Sequence, residues 1–99
     1  LFFQQLALDV QNSSSIEVAN NILYLQHPNN EKITYSYFQN RIRRQVNYFG
    51  QEVALQNVVD MKIVQWRNGI DVMIIDNYNQ THEKRITHFL PLERIDYGE

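Results

Sequence analysis

The sequence predicts an α+β domain in which one N-terminal helix packs on an antiparallel β-sheet meander. Apolar residues recur with helical spacing near the start of the chain, whereas alternation of apolar and polar residues dominates the rest. Short turn-forming segments separate the alternating stretches, as expected for consecutive antiparallel strands. A length of 99 residues fits a single domain, 1–99, with one modest core.

The helix is predicted from Leu1 to about residue 12, and the three serines at 13–15 are expected to end it. Its core-facing stripe consists of Phe3, Leu6, Ala7 and Val10. No capping residue comes before Leu1, so we expect the helix to begin upstream. Leu1, Phe2 and Leu8 widen the apolar stripe and are a candidate assembly face. The alternative is that the sheet of the same domain buries them.

The strands are predicted from alternation and from the turn signals that bound it. Eight segments have strand character, and we expect about six strands from them. The segments are Ile16–Val18, Ile22–Gln26, Lys32–Phe38, Arg41–Val46, Val53–Leu55, Val58–Trp66, Ile70–Asp76 and Glu83–Phe89. His27–Asn30 is a proline turn, residues 47–52 are a loop containing Gly50, and Asn68-Gly69 is a hairpin signal. Pro91 is expected to end regular pairing and to leave an irregular tail at 92–99.

The core is expected where the helix meets the sheet. Phe3, Leu6 and Val10 should pack against the inward side chains of segments 22–38, 58–66 and 70–75.

The composition offers little for catalysis or for a cofactor. The absence of cysteine excludes disulfides, thiolate metal sites and a cysteine nucleophile. The three histidines lack metal-ligand spacing, and no nucleophile motif or glycine-rich phosphate loop is present. Four side chains with oxygen atoms could bind calcium: Asp71, Asp76, Asn77 and Asn79. We favour the alternative, in which these residues form ordinary turns. We therefore expect a protein that is not an enzyme and needs no cofactor.

The hairpin at 33–44, ITYSYFQNRIRR, is the stretch with the most unusual chemistry. The net charge of the chain is −2, but residues 41–67 hold five basic and two acidic residues. On a strand, Arg41 and Arg43 share one face, and Ile42 and Arg44 share the other. Arg41, Arg43, Arg44 and Lys62 are candidate contacts with DNA or with another subunit, next to tyrosines that can stack on bases. The alternative is a strand whose arginines protect a sheet edge.

The order of several motifs resembles that of the minor pseudopilins of type II secretion and competence systems, most closely the competence pseudopilin ComGF family of Gram-positive bacteria. The motifs are LALDVQ at 6–11, ITYSYFQNRIRR at 33–44 and LQNVVDMKIV at 55–64. The resemblance covers about residues 2–90 and depends on the order and spacing of degenerate motifs. It implies a pilin-like head, in which the helix is the exposed end of a longer helix.

The resemblance also implies a structural function in DNA uptake. Such proteins are made as precursors with a leader and a membrane helix, and after cleavage they join a pseudopilus at the cell surface. The expected role is to assemble or cap that filament during transformation, with other minor pseudopilins and the major pseudopilin as partners. Contact with the membrane would be made through an upstream helix that this sequence does not include. The alternative is a tip subunit that binds DNA weakly through Arg41, Arg43 and Arg44.

Overall fold

The computed structural model describes residues 1–88. The predicted end of the last strand at Phe89, Pro91 and the predicted tail lie outside these residues. The described chain folds as one helix followed by eight strands: α1 Phe2–Gln11, β1 Ser15–Ala19, β2 Ile22–Gln26, β3 Lys32–Phe38, β4 Arg41–Val46, β5 Phe49–Gln56, β6 Val58–Trp66, β7 Gly69–Asp76 and β8 Thr81–Thr87.

The strands form two separate antiparallel sheets, and the prediction of an α+β domain with one meander is wrong. Strands β1–β5 pair in chain order to form sheet A, and β6–β8 pair in chain order to form sheet B. The described chain is therefore mostly β, with a single short helix. The separation occurs at Asn57, whose φ of 61° turns the chain between β5 and β6. The Val58 amide then donates to the Asn40 carbonyl at 3.0 Å, so β6 begins against the β3–β4 turn instead of pairing with β5.

Tight turns explain why four predicted strands have the predicted limits. The ranges of β2, β3, β4 and β6 are confirmed. Two-residue turns with positive φ at both positions join β1 to β2 and β3 to β4: Asn20-Asn21 and Gln39-Asn40. Such turns match the right-handed twist of paired strands, and asparagine tolerates their backbone conformation.

The loop predicted at 47–52 is instead mostly strand. Asn47 and Tyr48 form another turn with positive φ at both residues, so pairing resumes at once between Val46 and Phe49. Strand β5 is consequently longer than the predicted segment Val53–Leu55. Two register shifts interrupt its pairing with β4, which identifies β5 as an irregular edge strand of sheet A within residues 1–88.

The core lies where the helix and both sheets meet. Leu6 and Val10 are buried as predicted, but the helix is rotated so that Phe2 is buried and Phe3 is only half-buried. The other core side chains come from both sheets: Ile16, Leu23, Leu25, Ile33, Tyr35, Ile42, Val58, Met61, Ile63, Ile70, Val72, Ile74 and Ile86.

Side-chain amides connect the edges of the two sheets. The Gln65 side chain accepts from the Val18 amide at 3.1 Å and donates to the Ile16 carbonyl at 2.9 Å. Asn21 likewise donates to the Met61 carbonyl and accepts from the Ile63 amide. These bonds satisfy backbone groups of β1 and β6, whose strands do not pair with each other.

Candidate functional site

Strand β4 presents different chemistry on its two faces. Ile42 is fully buried, and Arg44 lies on the same side, opposite the buried Tyr35 of β3. Arg41 and Arg43 point to the other side, opposite Phe38 and Ser36. This is the alternation that the sequence predicts. The inner face of β4 therefore faces the helix, and its outer face belongs to the solvent side of sheet A.

The inner face contains a buried ionic network centred on Asp9. Arg44 donates through Nε to Asp9 Oδ2 at 2.8 Å and through Nη2 to Asp9 Oδ1 at 3.2 Å. The Tyr35 hydroxyl donates to Asp9 Oδ2 at 2.6 Å. Asp9 is 3% exposed, so its charge is compensated by a bidentate guanidinium and a phenol.

Burial and pairing shift the pKa values of two members of this network. Burial, followed by the hydrogen bond to Asp9 and the charge of that carboxylate, raises the pKa of Tyr35 far above its usual range. The hydrogen bond to Asp9 raises the pKa of Arg44 as well. Tyr35 therefore remains a neutral donor, and Arg44 remains charged.

The same helical residue also fixes the end of α1 through its backbone. The Asp9 carbonyl accepts from the Ser13 hydroxyl at 2.7 Å, and Nε2 of His27 lies 3.0 Å from it. His88 approaches the Ser13 carbonyl at 2.7 Å. These contacts join the helix terminus to sheet A and to the end of β8.

The outer face carries the Arg43 guanidinium. Among the described residues, Arg43 Nε is buried and has no hydrogen-bond partner. The Arg43 guanidinium lies 5.3 Å from the centre of the Phe38 ring, and Lys32 Nζ lies 5.6 Å from that of Tyr48. Within residues 1–88, no carboxylate lies within 4.0 Å of Arg41, Arg43 or Lys32.

A polar groove of about 410 Å³ lies on this outer face. Its lining includes Tyr24, Thr34, Ser36, Arg43, Gln45 and Tyr48. These side chains supply hydroxyl, amide, guanidinium and aromatic groups, which are suited to binding an anionic ligand that also has flat rings.

The structure separates the four cations that the sequence groups as a contact site. Arg41 and Arg43 share the outer face of sheet A, whereas Arg44 is held by Asp9 on the inner face. Lys62 belongs to sheet B, where Asp71 and Glu83 line the same groove. Only two of the four candidates therefore contribute to one surface.

Two carboxylates of sheet B are paired with neighbouring side chains. Arg85 forms a bidentate pair with Asp71 at 2.7 and 2.9 Å and lies 4.7 Å from the Trp66 ring centre. This pairing lowers the pKa of Asp71 below its usual value. The hydrogen bond to His82, together with backbone donors, lowers the pKa of Asp76.

The oxygen-rich segment at 76–79 forms a turn. Asp76 Oδ1 accepts from the amides of Tyr78 and Gln80, both at 2.9 Å. These are the bonds of an Asx turn. Among residues 1–88, no cluster of three or more histidine and carboxylate side chains has the arrangement of a metal site.

The candidate assembly face of the helix is only partly exposed. Leu1 is fully exposed and Leu8 is 55% exposed, but Phe2 is buried against Phe3 and Tyr35. A mostly apolar groove of about 490 Å³ lies beside Leu1 and is also lined by Leu55 and Tyr78.

Comparison with known protein families identifies the group to which this chain is related. A family model described as "Putative Competence protein ComGF" matches residues 1–85. The chain belongs to the ComGF family. No curated protein and no solved structure matches it.

Membership in the ComGF family gives the protein a competence-related function. The family also suggests a role associated with the cell surface or membrane. In the part of the chain that the structure describes, no helix is long and apolar enough to cross a bilayer.

Sequence reasoning missed a buried carboxylate in this ComGF-family chain. Asp9 was not among the predicted core or contact residues, yet it is the centre of the inner-face network. One signal was available: on an ideal helix Asp9 lies about one turn from Leu6 and about two turns from Phe2, on the same face. Arg44 alternates with Ile42 on its predicted strand and therefore shares a face with an apolar residue. The partners themselves are 26 and 35 residues away, so local patterns do not identify them.

Proposed function

We propose that this ComGF-family protein is a minor pseudopilin, a structural subunit that helps assemble or cap the competence filament that supports DNA uptake. The supporting observation is the way in which Asp9, Arg44 and Tyr35 fasten a short helix to a β-rich head. Because these bonds fix the helix against the sheet, the helix and the head would move together as one unit. No catalytic activity forms part of the proposal.

The exposed side of the helix is suited to contacts with other subunits. Leu1 and Leu8 are exposed, and the neighbouring apolar groove includes Leu55 and Tyr78. Exposed apolar surface of this kind is typical of protein–protein contacts. We propose other minor pseudopilins of the same system as the partners at this surface, with the major pseudopilin next to them.

The proposed cellular location follows from the proposed pseudopilin function. The full-length precursor would be held in the cell membrane by an upstream helix, and the mature subunit would join the filament at the cell surface. The competence family supports this location in general terms.

Assembly can be tested by mixing the chain with the other minor pseudopilin heads and measuring mass by light scattering. We expect a complex that Leu8→Glu weakens, because a charge would be buried at the contact. Val64→Glu is the matched control, since Val64 is 47% exposed on sheet B. Monomers at every mixing ratio would contradict assembly through the head.

Direct DNA contact is the second proposed role. The four-cation set predicted from the sequence does not form a single surface, because Arg44 is paired with Asp9 and Lys62 lies on sheet B. DNA contact on the outer face of sheet A is favoured by Arg43, which has no acidic partner among residues 1–88.

A further inference from the structure

The outer face of sheet A combines cations with aromatic rings in one place. Lys32, Arg41 and Arg43 are on this face, together with Tyr24 and Phe38. Cations contact phosphates, while aromatic rings stack on bases, and proteins that bind single-stranded nucleic acid use both.

Basic residues are concentrated on one side of this face. Glu17 lies opposite Tyr24 on β1 and is the acidic residue that the strand register places on the outer face. Glu52 lies on the other side of β5, where it pairs with Arg44 at 3.2 Å. The basic part of the face therefore follows β3 and β4, and the acidic boundary is at β1.

The groove on this face includes one buried donor that has no partner within residues 1–88. Arg43 Nε is buried beside the groove without a hydrogen bond, which is costly unless a ligand accepts from the guanidinium. Ser36 and Thr34 place hydroxyl groups nearby. A phosphate oxygen would satisfy the guanidinium and accept from a hydroxyl.

We propose that the outer face of sheet A binds single-stranded DNA along β3 and β4, with phosphates at Arg43, Arg41 and Lys32 and a base stacked on Tyr48. This inference rests on the proposed function, since it supplies a DNA-uptake subunit with a surface for DNA. Stacking requires bases that are not already paired. This requirement favours single strands over duplex DNA.

Binding can be measured by fluorescence anisotropy with a short labelled oligothymidylate as the probe. Three phosphate contacts predict a slope of about −2 for log affinity against log salt, so affinity should fall about 20-fold between about 50 and 200 mM salt. Arg43→Gln should make the slope shallower by about 0.7. Lys62→Gln removes the same charge from sheet B and should leave the slope unchanged. An equal effect of both variants would overturn the proposed site, because it would indicate only general electrostatic attraction.

Stacking of a base on Tyr48 can be tested by comparing two tyrosine variants. Tyr48→Ala should weaken binding about fivefold or more, because a stacked base loses its aromatic partner. Tyr78→Ala is the control, since Tyr78 is 81% exposed but belongs to the β7–β8 turn. No difference between the two variants would contradict stacking at Tyr48.

Competitors distinguish DNA from an acidic protein. Excess unlabelled oligothymidylate should displace the probe much more effectively than duplex DNA or polyglutamate at the same charge concentration. Displacement by polyglutamate at equal charge would overturn the proposal in favour of an acidic protein segment. Leu8→Glu should bind the probe normally, so loss of assembly and loss of DNA binding can be told apart.

Discussion

The two faces of strand β4 place neighbouring arginines in opposite environments. On the inner face, Arg44 makes two hydrogen bonds to the buried carboxylate of Asp9 and a third to Glu52. On the outer face, Arg43 has an aromatic neighbour but no carboxylate partner in the described part of the chain. Neighbouring arginines on one strand therefore have different partners.

The two arginines differ because the two faces of β4 differ in their exposure to water. Asp9 is only 3% exposed, so its charge needs a permanent partner inside the protein. The outer groove is open to solvent or to a ligand, and a guanidinium there retains its ability to bind phosphate. The inner arginine holds the helix, and we infer that the outer arginine contacts an external partner.

Breaking the inner pair should have the largest effect on stability. Arg44→Met leaves the Asp9 carboxylate buried without its cation and should lower the free energy of unfolding by about 3–5 kcal/mol. Urea unfolding followed by circular dichroism measures the loss. Replacing both residues, with Asp9→Leu and Arg44→Met, should cost less than the single change. A loss below about 1 kcal/mol for Arg44→Met would contradict the importance of the pair.

Removing the phenol should have an intermediate effect. Tyr35→Phe deletes the 2.6 Å hydrogen bond to Asp9 and should cost about 1–3 kcal/mol. Urea midpoints at neutral pH measure this cost, with Tyr78→Phe as the exposed control.

Tyr35 should also make the protein sensitive to alkaline pH. Its pKa is raised in the folded protein, so its contribution to stability is complete below the unfolded pKa of about 10. Above that pH the unfolded chain loses a proton that the folded protein keeps, and stability should fall by about 1.4 kcal/mol per pH unit. Tyr35→Phe should remove this component, and an unchanged alkaline slope in that variant would argue against it.

The outer arginine should have the smallest effect on stability. Arg43→Gln removes a charge that has no carboxylate partner within residues 1–88, so the free energy of unfolding should change by less than about 0.5 kcal/mol. The same urea experiment checks this expectation. A loss comparable to that of Arg44→Met would show that both faces of β4 serve mainly to stabilise the fold.

Local patterns predicted most of the strands but not how they assemble. The limits of β3 and β4 and the faces of β4 follow from alternation and from the turn at Gln39-Asn40. Alternation does not specify which strands pair, and the turn at Asn57 divides the strands into two sheets. The α+β prediction failed for this reason, since it assumed that every strand continued the same sheet.

The candidate site was only partly predictable for a similar reason. The sequence identified the arginine-rich hairpin, and strand periodicity placed Arg41 and Arg43 together. It could not place Arg44 against Asp9 or Lys62 on another sheet, because those positions depend on contacts between distant segments. Lys32 and Tyr48 joined the surface only when the turn at 47–48 brought them together.

If the outer face of sheet A contacts DNA while the inner face holds the helix, backbone amide signals should locate the contact when the isotope-labelled chain is titrated with oligothymidylate and followed by NMR. We expect shifts concentrated at Thr34, Ser36, Arg43 and Gln45, with little change along β6–β8. Shifts confined to sheet B, or no shifts at low salt, would contradict this contact.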